Sequence, residues 1–276
     1  MTASFSYYPG CSLHGTAREY DFTARAVCEA LGVTLQELPD WNCCGASSAH
    51  RTDTQLASDL AARNLTIAAR QGHDLVIPCA ACYNRLKVAQ AGHGPDVPPV
   101  AADLAVLSLL ELLARREMID RLTDRLVHSL GDLPVVPYYG CLLARPAKVT
   151  GADSAFNPTA MDAILFAAGA QVRRWSCKTT CCGASFTMPQ TRIVETLCTQ
   201  LRDAAIEAGA VAFVTACPMC AANLDMRQLG QPQLPVLYVT ELLALALGLG
   251  GLDECWKRHR VDPRPMLAER GLLEPM

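Results

Sequence analysis

Trp41-Asn42-Cys43-Cys44-Gly45-Ala46-Ser47 decides how this chain is read, because its core returns as Cys181-Cys182-Gly183-Ala184-Ser185. Each copy lies between a lone upstream cysteine, Cys11 or Cys141, and a downstream Cys-x-x-Cys, Cys79/Cys82 or Cys217/Cys220. Thirty-four residues separate Cys44 from Cys79, and thirty-four separate Cys182 from Cys217. Ten of the 14 cysteines therefore form two sets of five in the same order.

Outward from each copy, strand and helix signals alternate. Phe5–Tyr8 reads as a strand ended by Pro9-Gly10, which leaves Cys11 in the loop that follows. Thr16–Leu31 has helical spacing through Tyr20, Ala24, Val27 and Leu31, and Gly32 closes it. Val33–Leu38 alternates as a strand and leads into the double cysteine. Thr52 or Asp53 caps a helix to about Arg70, Asp74–Ile77 is a short buried strand, and Pro78-Cys79 opens another helix. Pro98-Pro99-Val100 and a helix from Asp103 to about Arg116 finish the first half.

The second half repeats the order. Tyr138-Tyr139-Gly140-Cys141 answers the first strand and its cysteine, and Met161–Ala168 and Thr191–Ala208 are the matching helices. Phe213-Val214-Thr215 leads into the second Cys-x-x-Cys, and Leu234–Leu237 with Thr240–Leu243 closes the repeat. This order predicts an α/β protein of two pseudo-symmetric Rossmann-like halves, 1–132 and 133–276, each a small, mostly parallel sheet with helices. The division falls between a helix around Met118–Leu130 and Pro134. Every cysteine element follows a predicted strand, at the carboxyl end where such sheets build their sites. The tail from Trp256 reads as a surface extension, with its basic run Lys257-Arg258-His259-Arg260 a solvated face or, alternatively, a partner contact.

Composition narrows the class. A chain of 276 residues with 51% hydrophobic and 18% charged residues can bury two cores and is not a disordered polymer. A net charge of −3 gives no case for nucleic-acid binding. The first ten residues lack the basic region and apolar core of a secretory signal, and the most apolar stretch, Leu242–Leu252, is too short to span a bilayer. The expected compartment is the reducing cytoplasm, where clustered cysteines serve as ligands or catalysts rather than disulfides.

Thiolates are soft ligands for zinc, copper(I) or iron–sulfur clusters. Structural zinc takes four ligands, so a fifth cysteine in each half is surplus to it. Adjacent cysteines point apart, which suits a multi-iron cluster better than one small ion. Gly45 and Gly183 give the backbone freedom to wrap closely, and helix N-termini near the cysteines supply N–H groups to a negatively charged site. Zinc sites and Cys-x-x-Cys thiol–disulfide chemistry stay open on these grounds. Cys28, Cys198 and Cys255 lie outside both sets and read as small buried hydrophobes. Cys177 has no counterpart in the first half; it is a sixth ligand, a redox-active thiol or a neutral replacement.

Tyr8-Pro9-Gly10-Cys11-Ser12-Leu13, Asn42-Cys43-Cys44-Gly45-Ala46 and Ala216-Cys217-Pro218-Met219-Cys220 through Gln228 resemble the cysteine-rich CCG domain family, in particular the B subunit of heterodisulfide reductase and its bacterial relatives. The resemblance spans essentially the whole chain, with both copies of the motif complete. It implies two noncubane [4Fe-4S] clusters, one held by Cys11, Cys43, Cys44, Cys79 and Cys82, the other by Cys141, Cys181, Cys182, Cys217 and Cys220. It further implies an oxidoreductase that reduces or forms a disulfide or a protein-bound sulfur substrate, in bacterial sulfur metabolism. Its partners would resemble the two other proteins of heterodisulfide reductase, a small [4Fe-4S] subunit and a flavoprotein. The alternatives are a non-catalytic electron-transfer subunit of a quinone-linked or succinate-oxidising complex, and a zinc-stabilised interaction module. Cations near the cysteine loops would steer an anionic substrate. Arg145 and Lys148 beside Cys141, and His14 beside Cys11, are the foremost candidates, with Arg18, His50, Arg51 and Lys178 behind them.

Overall fold

A computed structural model of the chain describes residues 3–46, 49–92 and 101–274. The first half runs β1 (Ala3–Tyr7), α1 (Gly10–His14), α2 (Arg18–Ala30), β2 (Val33–Glu37), α3 (Ala49–Thr52), α4 (Thr54–Gln71), β3 (Leu75–Ile77) and α5 (Ala80–Ala91). It ends with β4 (Val106–Ser108), α6 (Leu109–Leu113) and α7 (Arg116–Arg125). The second half runs β5 (Pro134–Tyr138), α8 (Ala147–Thr150), α9 (Ala160–Ala167), β6 (Gln171–Val172), α10 (Thr191–Glu207), β7 (Ala212–Thr215) and α11 (Pro218–Arg227). It ends with β8 (Val236–Tyr238), α12 (Val239–Ala246), α13 (Leu252–Trp256) and α14 (Arg264–Glu269).

The strands make two four-stranded sheets, ordered β2-β1-β3-β4 and β6-β5-β7-β8, with every pairing parallel. Parallel strands are covered on both faces, so their inner members are continuous apolar runs: Leu75-Val76-Ile77 in β3 and Ala212–Thr215 in β7 are buried throughout. From β1 the chain adds β2 on one side and then β3 on the other. The crevice at such a reversal is where open parallel sheets bind ligands. Cys11 follows β1 and Cys79 follows β3, on its two sides; Cys141 and Cys217 follow β5 and β7 in the same way.

Local chemistry sets the helix ends. Asp53 accepts a hydrogen bond from the Leu56 amide at 3.0 Å to start α4, and left-handed Gly72 ends it. Ser108 and Glu111 form a capping box at the start of α6. Glu241 repeats half of it at α12, accepting from the Tyr238 amide at 2.8 Å.

The halves pack as images of each other. The helix α2 rests on α12 as α9 rests on α6, and α1 rests on α11 as α8 rests on α5. A pseudo-two-fold axis therefore relates the halves, and the N-cap cysteines of the two Cys-x-x-Cys helices, Cys79 of α5 and Cys217 of α11, are neighbours at it.

Two sequence expectations are corrected. The helix expected from Asp103 begins instead as β4, with Val106 and Leu107 in register with Leu75 and Val76. The run of leucines there carries no period that separates a buried strand from a buried helix, and the open edge of β3 takes it as a strand. The element answering β8 and α12 is thus Val106–Ser108 with α6; Pro98-Pro99-Val100 lies outside the described residues, as does Ser47 of the first cysteine block. The tail is also no surface extension. Cys255, Trp256 and Leu267 are buried, and the amides of Arg260 and Val261 donate to the Asp225 carboxylate at 2.6 and 3.0 Å. Lys257, Arg258 and Arg260 stay exposed, so the basic run is a solvated face on an anchored backbone.

Candidate metal centres

Each set of five cysteines converges at the carboxyl end of its sheet. In the first, Cys44 and Cys82 bring their Sγ atoms to 3.2 Å, and Cys11 lies beside Cys43, each shifting the other's ionisation. In the second, the Cys182 and Cys220 sulfurs are 3.6 Å apart and those of Cys141 and Cys181 are 4.0 Å apart. Among the described residues no trio of His, Cys, Asp or Glu closes around a single ion.

The backbone that presents the lone cysteines has no room for a side chain. Gly10 and Gly140 have φ of +72° and +66°, and a Cβ on them would stand 3.0 Å from the Cys82 Sγ and 2.9 Å from the Cys220 Sγ. Glycine is required twice over, by conformation and by the approach of sulfur.

Hydrogen bonding prepares thiolates. In each half the lone cysteine gives its hydrogen bond to the first of the adjacent pair. That bond from Cys141, with help from the Gly183 amide and the Arg145 charge, brings Cys181 down to about 6, and Cys11 lowers Cys43 in the same way. Cys217, the N-cap of α11, is held low by Cys220 and Cys79 thiols and by the Cys220 and Met219 amides of its own helix. Cys28, Cys198 and Cys255, outside the sets, go the other way: burial pushes each up to about 12, as for inert core thiols.

The two sets are joined. Cys79 lies beside Cys217 across the pseudo-dyad, close enough for the two thiols to shift each other's ionisation in opposite directions. With the Cys44–Cys82 and Cys182–Cys220 contacts, this brings sulfur of both halves together at the pseudo-dyad. The donor set, ten sulfurs on cradling glycine turns and helix N-termini, fits iron–sulfur groups chemically.

A cavity reaches the sulfur. A space of about 260 Å³ between the halves is lined by all five cysteines of the second set on one side, and by Ala46, His50, Ala80, Ala81 and Arg85 of the first half on the other. The first half also holds the loop that carries Cys141: Asn84 Nδ2 donates to the carbonyls of Leu142 and Arg145 at 3.0 and 2.9 Å. Asn223, one turn beyond Cys220, donates to the Cys182 carbonyl at 3.2 Å.

The cations named from the sequence are spread out. His14 sits 2.9 Å from Glu37 and edge-on to Trp41, away from the cavity. Arg145 donates to the Thr179 carbonyl and lies over Phe156; its charge helps to lower Cys181 and only partly offsets the rise that the hydrogen bond to Cys181 and burial impose on Cys141, and it does not line the cavity. Lys148 is exposed and also stays outside it. Lys178 is buried in an ion pair with Asp162 at 2.6 Å. His50 does line the cavity, and so does Arg85, which sequence reading passed over. Its signal was there in the spacing: Arg85 follows Cys82 by three residues, one helical turn, as Asn223 follows Cys220. Cys177 is half-buried, and its nearest polar partner is Ser176 Oγ at 3.8 Å rather than a cysteine of the set.

Comparison with known proteins agrees with the duplicated site. The CCG cysteine-rich domain family model matches residues 5–87 and again 135–225. The 8-methylmenaquinol:fumarate reductase membrane anchor subunit of Wolinella succinogenes is 31% identical, over 90% of this chain and 94% of that protein. The B subunit of the ferredoxin/F420H2-dependent CoB-CoM heterodisulfide reductase of Methanosarcina acetivorans is 27% identical, over 89% and 90%. An Archaeoglobus profundus protein described as like the heterodisulfide reductase B subunit is 24% identical, over 88% and 90%. Among solved structures, a hypothetical protein from Helicobacter pylori shares the fold with a TM-score of 0.70 at 12% identity, over 93% of this chain and about half, 51%, of that one.

Proposed function

This chain belongs to the cysteine-rich CCG domain family, and on that premise we propose that it is the disulfide-handling iron–sulfur subunit of a heterodisulfide-reductase-like complex. Cys11, Cys43, Cys44, Cys79 and Cys82 would hold one noncubane [4Fe-4S] cluster, and Cys141, Cys181, Cys182, Cys217 and Cys220 the other. When bound, the clusters supply single electrons at low potential and soft iron sites for sulfur. The balanced change is RS–SR′ plus two electrons and two protons giving RSH and R′SH, or its reverse. The electrons come from an iron–sulfur partner protein fed by a flavoprotein.

The observation that carries the reading is the cavity in which all five second-set cysteines face space that a small molecule can enter. The approach of the two sets at Cys79 and Cys217 supports it, because two single-electron centres side by side can each deliver one electron to the same S–S bond. Asn84 fixes the Cys141 loop, and the approach of Cys79 to Cys217 fixes the spacing of the two sets. In this reading the chain works in the cytoplasm, in sulfur metabolism.

A second reading is favoured by the 31% identical relative, whose name ties it to a menaquinol:fumarate reductase and to a membrane. Here the same two cysteine sets would pass electrons between a quinone-linked partner and an enzyme acting on a dicarboxylate. No helix among the described residues is long and apolar enough to cross a membrane, so in that role attachment would fall to a partner or to a surface.

The test is anaerobic. Purified protein should carry iron and sulfide with paramagnetic signals unlike cubane clusters, and the dithionite-reduced form should be reoxidised by 3,3′-dithiodipropionate with release of two thiols. Zinc without iron would overturn the cluster assignment. Reduced protein that no disulfide reoxidises, even with its partner proteins present, would overturn the catalytic one in favour of electron transfer.

A further inference from the structure

Arg85 is the one arginine among the described residues lining the cavity against the second cysteine set, yet it comes from the first half. It is half-buried and makes no hydrogen bond or ion pair with any described residue, although its charge is felt by Cys44 of the first set and by His50 beside it. A partly buried guanidinium is ordinarily paired, because removing it from water costs free energy that a partner must offset. No Asp or Glu is among the described residues lining the cavity. Arg85 and His50 also line an adjoining pocket of about 320 Å³, floored by Thr54, Gln55 and Ser58, so the pair stands where the outer pocket opens onto the inner cavity. Beside them Arg51 lies 5.2 Å over the ring of Phe186, closing the first half against the second. Pseudo-symmetry sharpens the point. The equivalent position in the second half is Asn223, which is fully used on Cys182 and Thr187. Among the described residues, the duplicated frame thus carries an unpaired cation at this position on one side only.

We infer that Arg85, with His50, binds the anionic end of the molecule that reacts at the second cysteine set, so that the substrate is a small carboxylate-bearing or comparably anionic compound. This deepens the disulfide-handling reading and rests on it. The anionic end docks at the junction of the two pockets while the sulfur end reaches the cysteines. Guanidinium suits this because its fork pairs with both oxygens of a carboxylate. The first half thereby supplies specificity to a site built from the sulfur of the second.

The experiment uses iron-loaded protein and suberate, the all-carbon isostere of 3,3′-dithiodipropionate, with its neutral diamide suberamide for comparison, both by titration calorimetry. Suberate should bind more tightly than suberamide. Arg85→Gln should weaken suberate roughly tenfold or more while leaving suberamide and the iron content unchanged, and Arg85→Lys should restore part of the loss. Lys148→Gln, an exposed cation outside the cavity, should change nothing. Suberate that does not bind the wild type, or that binds Arg85→Gln equally well, overturns the inference. Its failure is separable from failure of the functional reading. Reoxidation by dithiodipropionate with suberate binding indifferent to Arg85 removes only the anion site. Suberate held through Arg85 without any reoxidation keeps the anion site and removes the disulfide chemistry.

Discussion

The hydroxyls of Thr23 and Thr240, 217 residues apart, share a 2.7 Å hydrogen bond where α2 of the first half meets α12 of the second. Beside it Tyr20 and Tyr238 stack with centroids 4.2 Å apart and planes 2° from parallel, and the Tyr20 hydroxyl donates to the Pro78 carbonyl, next to Cys79. The contact that joins the halves is therefore also the one that supports the first Cys-x-x-Cys.

Truncating that stack should loosen both. Tyr20→Ala removes a fully buried ring and should cost about 3–5 kcal/mol. Urea denaturation should show one transition at a lower midpoint, with iron released in the same step. Two separate transitions in the wild type would show that the halves fold independently and would contradict this coupling.

Cys141→Ala should remove one cluster and spare the other, lowering iron from about eight to about four per chain. Cys177→Ala should leave iron unchanged, because its sulfur faces Ser176 rather than the set. Iron lost from the Cys177 variant would make that residue a ligand.

Gly140→Ala tests the close approach of backbone to sulfur. Its Cβ would lie 2.9 Å from the Cys220 Sγ at a positive φ, so it should lose iron from the second set as well as about 1–2 kcal/mol of stability. Gly151→Ala has similar strain, φ of +71°, but nothing within 4 Å. It should lose stability alone and keep its iron, as measured by iron assay alongside thermal unfolding.

His259 predicts a pH dependence. Its Nε2 lies 2.8 Å from Glu241 Oε1, with the two side chains 5% and 0% exposed. Burial works against the charge, but the Glu241 carboxylate, with Asp225 and Glu19 behind it, outweighs burial and pushes His259 up to about 9. Because the folded value exceeds the unfolded value, near 6.5, the pair stabilises fully below pH 6.5 and its contribution fades as pH rises through 9. That contribution is on the order of 3 kcal/mol. The stability gap between wild type and His259→Gln should accordingly shrink from pH 6 to pH 9.5 in urea titrations; a gap that stays constant would exclude the ion pair as its source.

Much of this molecule was legible in its sequence. The repeated Cys-Cys-Gly-Ala-Ser, the equal spacing to each Cys-x-x-Cys and the strand preceding each cysteine gave two similar α/β units. Asp53 was readable as a helix cap because capping is local chemistry. The strand at Val106–Ser108 was not, since a short apolar run looks alike in a buried strand and a buried helix. The burial of the tail was hidden as well: Lys257-Arg258-His259-Arg260 is basic as text, but His259 finds its carboxylate only after α12 is in place.

The sequence alone determined which ten cysteines form two sets and which glycines let the chain turn tightly around them, because spacing and backbone freedom are properties of the local chain. Only the tertiary structure decided that Cys79 lies beside Cys217, that all five second-set cysteines line one cavity, and that Arg85 of the first half stands opposite them. Those relations depend on how α1, α2 and α5 pack against α11, α12 and α8 across a pseudo-two-fold axis. Contacts across that axis join residues far apart in the chain, and no periodicity in it records which of them will meet.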